Sequence, residues 1–132
     1  YYMKHKDIII LKKIIQYCND VEEACVMFQN DFEAFKNQSV FRNATCMCIL
    51  QIGELCKIIS PELRNTEKEI PWREWCGIRD IFAHQYSNLD YDSAWDTIQN
   101  DLPELKLNLL TILLKNNYQR VACDSFALER NA

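Results

Sequence analysis

Apolar residues return every three or four positions along most of this chain. Between residues 5 and 28 they fall at Ile8, Leu11, Ile14 or Ile15, Cys18, Val21, Cys25 and Phe28, the repeat of an amphipathic helix about six turns long. Asn30 followed by Glu33 has the form of an N-cap with its third-position acceptor and predicts a short helix from Asp31 to Lys36. Ser39 is expected to cap a long helix over 40–59, with its apolar stripe at Val40, Ala44, Met47 or Cys48, Leu55 and Ile58 or Ile59. Within it lies Gln51-Ile52-Gly53-Glu54, whose glycine costs a helix about 1 kcal/mol relative to Ala unless close packing recovers it. Ser60-Pro61-Glu62 is a further start signal, with proline at the first helical position. Pro71 opens another helix, which Asn88-Leu89-Asp90 interrupts. The pattern resumes at Tyr91 and runs through Trp95, Ile98, Leu102, Leu105, Leu109 and Ile112 to about Lys115. Pro103 is expected to bend or split that helix, and Asn116-Asn117 to close it. Four long helices with short connections predict an all-α, antiparallel up-and-down four-helix bundle with short extra helices. Residues 4–115 form that domain; 116–132, weakly periodic, form a tail that is frayed or partner-bound.

Composition agrees. The 132 residues include two glycines and three prolines, too few turn residues for a β-rich domain of this size. No apolar run approaches the roughly 20 residues of a membrane span, and the first residues lack the apolar segment of an export signal. Met3 reads as the natural first residue. The seven cysteines (18, 25, 46, 48, 56, 76 and 123) contain no Cys-x-x-Cys pair and sit mostly at apolar helical positions, as small hydrophobes do. Cys46 and Cys48 point to different faces of a helix, so no metal site is expected, and neither is a cofactor. Reduced thiols without an export signal predict a cytoplasmic protein.

The net charge of −4 argues mildly against nucleic-acid binding, but the charge is uneven. Arg42, Lys57, Arg64, Lys68, Arg73 and Arg79 fall in the middle third, whereas acidic residues crowd 20–33 and 90–104. The middle third also holds the pattern richest in chemistry, Arg79-Asp-Ile-Phe-Ala-His84-Gln-Tyr86, in a chain with two histidines. A permanently charged donor near a ring that titrates around neutrality suits phosphodiester cleavage. Equally, a histidine at a helix end serves as a cap for the last carbonyls. On an ideal helix Arg79 and Tyr86 share a face while His84 lies about 140° round. Arg79 and His84 can therefore meet on one substrate only if the helix ends near His84 or a second copy of the chain completes the site.

Ser60-Pro-Glu-Leu63, Glu69-Ile-Pro-Trp-Arg-Glu74, the Arg79–Tyr86 octapeptide and Trp95-Asp-Thr-Ile-Gln-Asn-Asp-Leu-Pro103 occur in that order after Gln51-Ile-Gly-Glu54. Together these five blocks resemble the HepT-like proteins of the HEPN superfamily, toxins of bacterial toxin–antitoxin pairs, over about residues 4 to 115. The resemblance implies a helical homodimer and a metal-independent ribonuclease whose catalytic residues are Arg79 and His84. It implies an MNT-type minimal nucleotidyltransferase as antitoxin, which adenylylates the tyrosine two residues past the histidine, here Tyr86.

Chemistry then suggests roles. The RNA's own 2′-hydroxyl attacks phosphorus, His84 acts as general base or acid, and Arg79 grips the phosphate and its transition-state charge. Asp80 either hydrogen-bonds the His84 ring or is a solvated charge. Glu54 either pairs with Arg79 across the bundle or lies free on the surface. Tyr86 stacks on a base, binds phosphate, or is a core or interface aromatic. Arg42 and Asn43 are weaker candidates for lining the cleft, His5 has no expected role, and Trp72, Trp75 and Trp95 belong to the core or an interface. A competing reading from another class is a non-catalytic helical adaptor that presents substrate to the nucleotidyltransferase.

Overall fold

The computed structural model describes residues 2–131. Its helices are α1 (His5–Met27), α2 (Phe32–Asn37), α3 (Ser39–Lys57), α4 (Pro61–Thr66), α5 (Trp72–His84), α6 (Tyr91–Asp96) and α7 (Leu102–Asn131). A 3-10 turn, Tyr86–Asn88, follows α5, and a π-helical segment, Thr97–Asp101, joins α6 to α7. α1, α3, α5 and the α6–α7 rod make the antiparallel four-helix bundle, with α2 and α4 as the short extra helices. The pairings give the directions. The start of α1 meets the end of α3 where buried Asp7 accepts from the Ser60 backbone N–H (3.0 Å) and hydroxyl. The other ends of these helices meet where Phe28 stacks on Phe41 at 4.6 Å. Along the α6–α7 rod, Lys106 pairs with Glu22 of α1 (3.0 Å), and Gln99 of the π segment exchanges amide hydrogen bonds with Asn30, just past α1.

Several local expectations are corrected. The cap of α2 is Asp31, which accepts from the Glu33 N–H, rather than Asn30. Asn30 instead takes a left-handed conformation (φ 51°), which asparagine tolerates better than most residues, and so turns the chain. Ser39 is the first helical residue of α3 and not its cap; Gln38 holds that position without a side-chain bond. Ser60 does cap α4, accepting from Leu63 N–H at 3.2 Å, with Pro61 next.

The buried stripe of α3 is Phe41, Thr45, Cys46, Ile49, Ile52, Gly53 and Cys56. Val40, Ala44 and Met47 face solvent instead. α3 is apolar on more than one side, so periodicity gave the spacing without choosing the face. Pro103 does not split the last helix. It cannot donate to the turn before it, and the π segment absorbs that defect, with Leu102 N–H reaching Thr97 O. Nor does Asn116-Asn117 close it: α7 continues to Asn131, and from 117 to 130 its side chains are exposed.

An aromatic cluster fills one end of the bundle. Phe35 of α2 lies against Trp95 (5.3 Å), Phe41 (5.8 Å) and Tyr91 (6.0 Å). Trp72 and Trp75 are buried, and the Trp72 indole donates to Glu67 O at 3.1 Å. Burial pushes the thiols of Cys18 and Cys56 up to about 12 and those of Cys46 and Cys48 up to about 11, so they remain protonated and inert near neutral pH. No helix among the described residues is long and apolar enough to cross a membrane.

α3 and α5 approach each other closely at Gly53. A Cβ placed on Gly53 would lie 2.3 Å from Arg79 Cβ and 2.8 Å from the Trp75 carbonyl oxygen. The mid-helix glycine is thereby explained, because only a residue without a side chain lets the two backbones come this near. Gly53→Ala gains about 1 kcal/mol of helix propensity yet forces the pair apart, an overpacking cost of about 1–3 kcal/mol or more. We expect net destabilisation in chemical denaturation. An alanine variant as stable as the parent would contradict the packing described.

Candidate active site

Trp72 and Trp75 anchor the first half of α5 in the core, which turns Arg79 toward α3 and leaves the last turn at the surface. The Arg79 guanidinium meets two carboxylates. Its Nε faces Glu54 Oε1 of α3 in an ion pair; both atoms are sealed from solvent and have no hydrogen-bond partner elsewhere among the described residues. Its NH1 reaches Asp80 Oδ1 at 3.2 Å, and the same oxygen receives Lys57 Nζ at 3.0 Å. Four charges thus form one cluster, two positive and two negative. The Lys57 ammonium first, and Arg79 second, hold the Asp80 carboxyl below its usual range. As Asp80 is fully exposed, that arrangement orients the cations more than it stabilises the fold.

Of the two readings of Glu54, the structure shows the pairing with Arg79. Asp80 bonds Lys57 and Arg79 rather than the His84 ring. Lys57, which the sequence offers only as one of the basic residues of the middle third, is the partner that no local pattern points to, since 23 positions separate it from Asp80.

α5 ends at His84, which is exposed, and Gln85 N–H closes the last turn on Ile81 O at 2.8 Å. Because the helix stops there, Tyr86 leaves the face it would share with Arg79 and sits on the 3-10 turn. Its phenol donates to Asn43 Oδ1 of α3. Partial burial, with a smaller contribution from Cys46, raises the phenol's pKa, and neighbouring Arg42 opposes the rise. Arg42 itself donates to the Phe35 and Lys36 carbonyls (3.1 and 2.8 Å) and lies over the Tyr91 ring at 4.9 Å. Its bonds make it a structural clamp on the end of α2. Asn43, Met47, Leu50 and Glu54 share one stripe of α3 by their four-three-four spacing. The phenol contact and the ion cluster consequently lie about 16 Å apart along that helix, with exposed Met47 between them. His5 starts α1 and joins neither group. Among the described residues, no group of three or more His, Cys, Asp or Glu side chains is placed to hold a metal ion.

The family model described as Ribonuclease HepT-like matches residues 14–112, and the chain belongs to that family. "Putative RNase MJ0125" of Methanocaldococcus jannaschii is 34% identical over 107 residues, covering 79% of this chain and 89% of that protein. "Putative RNase TTE0752" of Caldanaerobacter subterraneus subsp. tengcongensis is 32% identical over 105 residues, 80% of this chain and 92% of that protein. "Probable ribonuclease HepT" of Thermococcus cleftensis is 32% identical over 95 residues, 68% of this chain and 86% of its own length. No solved structure matches the chain significantly.

The phenol contact yields a pH prediction. A tyrosine whose folded pKa is raised contributes stability that is present below its unfolded pKa near 10 and lost as pH rises through the folded value. With ring-labelled tyrosine, the NMR signal that disappears in Tyr86→Phe should titrate above pH 10. An ordinary or lowered midpoint would contradict the partial burial of the phenol.

Proposed function

We propose that this chain is a metal-independent endoribonuclease toxin whose Arg79 and His84 cleave RNA and whose partner is a minimal nucleotidyltransferase that silences it by adenylylating Tyr86. The observation that carries the reading is the fixed Arg79 guanidinium on a helix that ends at an exposed histidine. Glu54 and the tight contact at Gly53 hold Arg79 from one side. Asp80, on the exposed side, is the carboxylate an incoming phosphate would displace. The 2′-hydroxyl attacks phosphorus and forms the new P–O bond, the bond to the 5′-oxygen breaks, and the proton lost by the first oxygen is matched by one gained by the second. The His84 imidazole can take or give such a proton, and Arg79 stabilises the charge that accumulates on the phosphoryl oxygens.

One His84 per site makes acid and base roles hard to fill at once, and a two-fold dimer supplies a second set. The apolar strip of Val40, Ala44 and Met47, exposed beside the motif with Ile81, supports an interface there. Tyr86, 36% exposed and two residues past the end of the catalytic helix, is accessible to a partner enzyme. AMP on its phenol replaces the proton given to Asn43 and adds a negative nucleotide next to His84, opposing RNA by charge and by volume.

His84→Ala and Arg79→Ala should each abolish growth arrest on expression and lower RNA cleavage by about 10²–10⁴-fold, with helical content unchanged. Products should carry 2′,3′-cyclic phosphate, and EDTA should not inhibit. Cleavage that survives in His84→Ala rules the assignment out, and a harmless wild-type chain that merely binds the nucleotidyltransferase favours the adaptor reading. With that enzyme, ATP and Mg²⁺, the chain should gain mass in steps of about 329 Da, and Tyr86→Phe should not. Modification mapped to Tyr91 or Tyr17 would exclude Tyr86 as the acceptor.

Light scattering at micromolar concentration should give a dimer for the wild type, and Met47→Glu should shift it toward monomer. A wild type that is monomeric throughout excludes the shared cleft.

A further inference from the structure

A concavity of about 670 Å³ opens where the start of α1 meets the corner between α3 and α4. Four of its nine lining residues are cationic: Lys4, Lys6, Lys57 and Arg64. The one acidic lining residue, Asp7, is buried and committed to the Ser60 N–H and hydroxyl, so it offers the groove little negative field. Such a concentration of positive charge is out of proportion in a chain of net charge −4. Its two ion pairs, Lys4–Glu62 and Lys57–Asp80, are both exposed and consume little of it. Lys4 has Glu62 at 3.1 Å, an exposed pair worth little, and Arg64 spends its NH2 on the Cys56 carbonyl at 2.5 Å. Lys6 is exposed and has no ion-pair partner within 4.0 Å among the described residues.

The groove is also continuous with the candidate active site. Lys57 lines it and at the same time bonds the Asp80 oxygen that Arg79 bonds, which brings the two cationic groups within about 6 Å of each other. A path of positive charge therefore leads from Arg79 through Lys57 to Lys6, Lys4 and Arg64. No aromatic side chain lines the groove, which suits phosphates and leaves out base stacking.

We propose that this groove is a backbone-phosphate subsite that holds the stretch of single-stranded RNA flanking the scissile bond, with Lys57 as the link between subsite and catalytic centre. The inference rests on the ribonuclease reading above. It adds that affinity comes from sequence-independent phosphate contacts outside the motif, and that a long RNA binds better than a short one. When the strand enters, its phosphates take the place of Glu62 on Lys4 and of Asp80 on Lys57. The latter exchange also loosens Asp80 from Arg79 and readies that guanidinium for the scissile phosphate.

The test measures binding apart from cleavage. His84→Ala protein is titrated with a fluorescently labelled single-stranded RNA of about 20 nucleotides at several salt concentrations, with and without Lys4→Gln and Lys6→Gln together. Both lysines are exposed, so the fold should survive, and circular dichroism checks that it does. The double variant should bind roughly ten-fold more weakly, and the slope of log affinity against log salt should fall by about 1.4, two contacts at about 0.7 each. Lys4→Arg with Lys6→Arg should restore both, as a purely structural effect of the glutamines would not. Unchanged affinity and slope in the glutamine variant overturn the subsite and leave the catalytic reading intact. Loss of nucleotidyltransferase binding with RNA binding untouched likewise overturns it, by assigning the groove to an acidic protein segment. Lysine-dependent RNA binding with no cleavage by the wild type would keep the subsite and remove the ribonuclease. A wild type that neither binds nor cleaves RNA removes both.

Discussion

Helices α3 and α5 come together so closely at Gly53 that a single methyl group there would overlap Arg79, and the rest of the site is arranged around that contact. The contact sets Arg79 against Glu54 one residue along α3. It also runs α5 antiparallel along α3, so that Asp80 falls within reach of Lys57 and the 3-10 turn after α5 lays Tyr86 on Asn43. A long, flexible side chain that would otherwise sample many rotamers is held by a backbone approach, a sealed ion pair and an exposed one. Stiffness of that kind is what a group needs if it is to meet a developing charge without rearranging.

The charge arrangement reconciles an acidic protein with an RNA substrate. Net charge reports the average field, whereas binding depends on where the cations lie. Here the acidic stretches at 20–33 and 90–104 run from the last turns of α1 into α2 and from α6 through the π segment into α7, toward the aromatic end of the bundle. Arg79, Lys57, Arg64, Lys4 and Lys6 collect toward the other end, two of them sharing a carboxylate that RNA phosphate can replace. A pairing that is exposed and weak in the free protein is easily exchanged, and so keeps the cations oriented without holding them closed.

Much of this was legible in the sequence, and the limits were physical. α1 follows its three-four repeat nearly to the residue, and Ser60-Pro61 starts α4 as such pairs do, because both are local effects. A carboxylate beside a mid-helix glycine offered the pairing of Glu54 with Arg79 and a free surface charge as equal alternatives, and only the packed bundle decides between them. The face of α3 could not be anticipated either, since Val40, Ala44 and Met47 are as apolar as the stripe that is buried, and packing alone distinguishes them. Pro103 looked like a break because the spacing of apolar residues carries no sign of a π turn that shifts the hydrogen bonds by one residue. The partners of Asp80 and Tyr86 were hidden for another reason: Lys57 and Asn43 lie 23 and 43 positions away, and tertiary contacts between exposed polar groups leave no periodic trace. The same holds for the cationic groove, whose members come from three helices and their junctions.

The central claim is that the Arg79 guanidinium, fixed by the α3–α5 contact, receives the scissile phosphate next to His84. A crystal structure of the wild-type protein with an oligoribonucleotide made uncleavable by a single 2′-deoxy sugar would examine it most directly. The account predicts the phosphate at that sugar bonded to Arg79, Asp80 displaced from it, Glu54 still in place, and a His84 ring nitrogen within hydrogen-bond reach of the 2′ position or the 5′-oxygen. A phosphate bound elsewhere, with Arg79 still held between Glu54 and Asp80 and His84 turned to solvent, would contradict it.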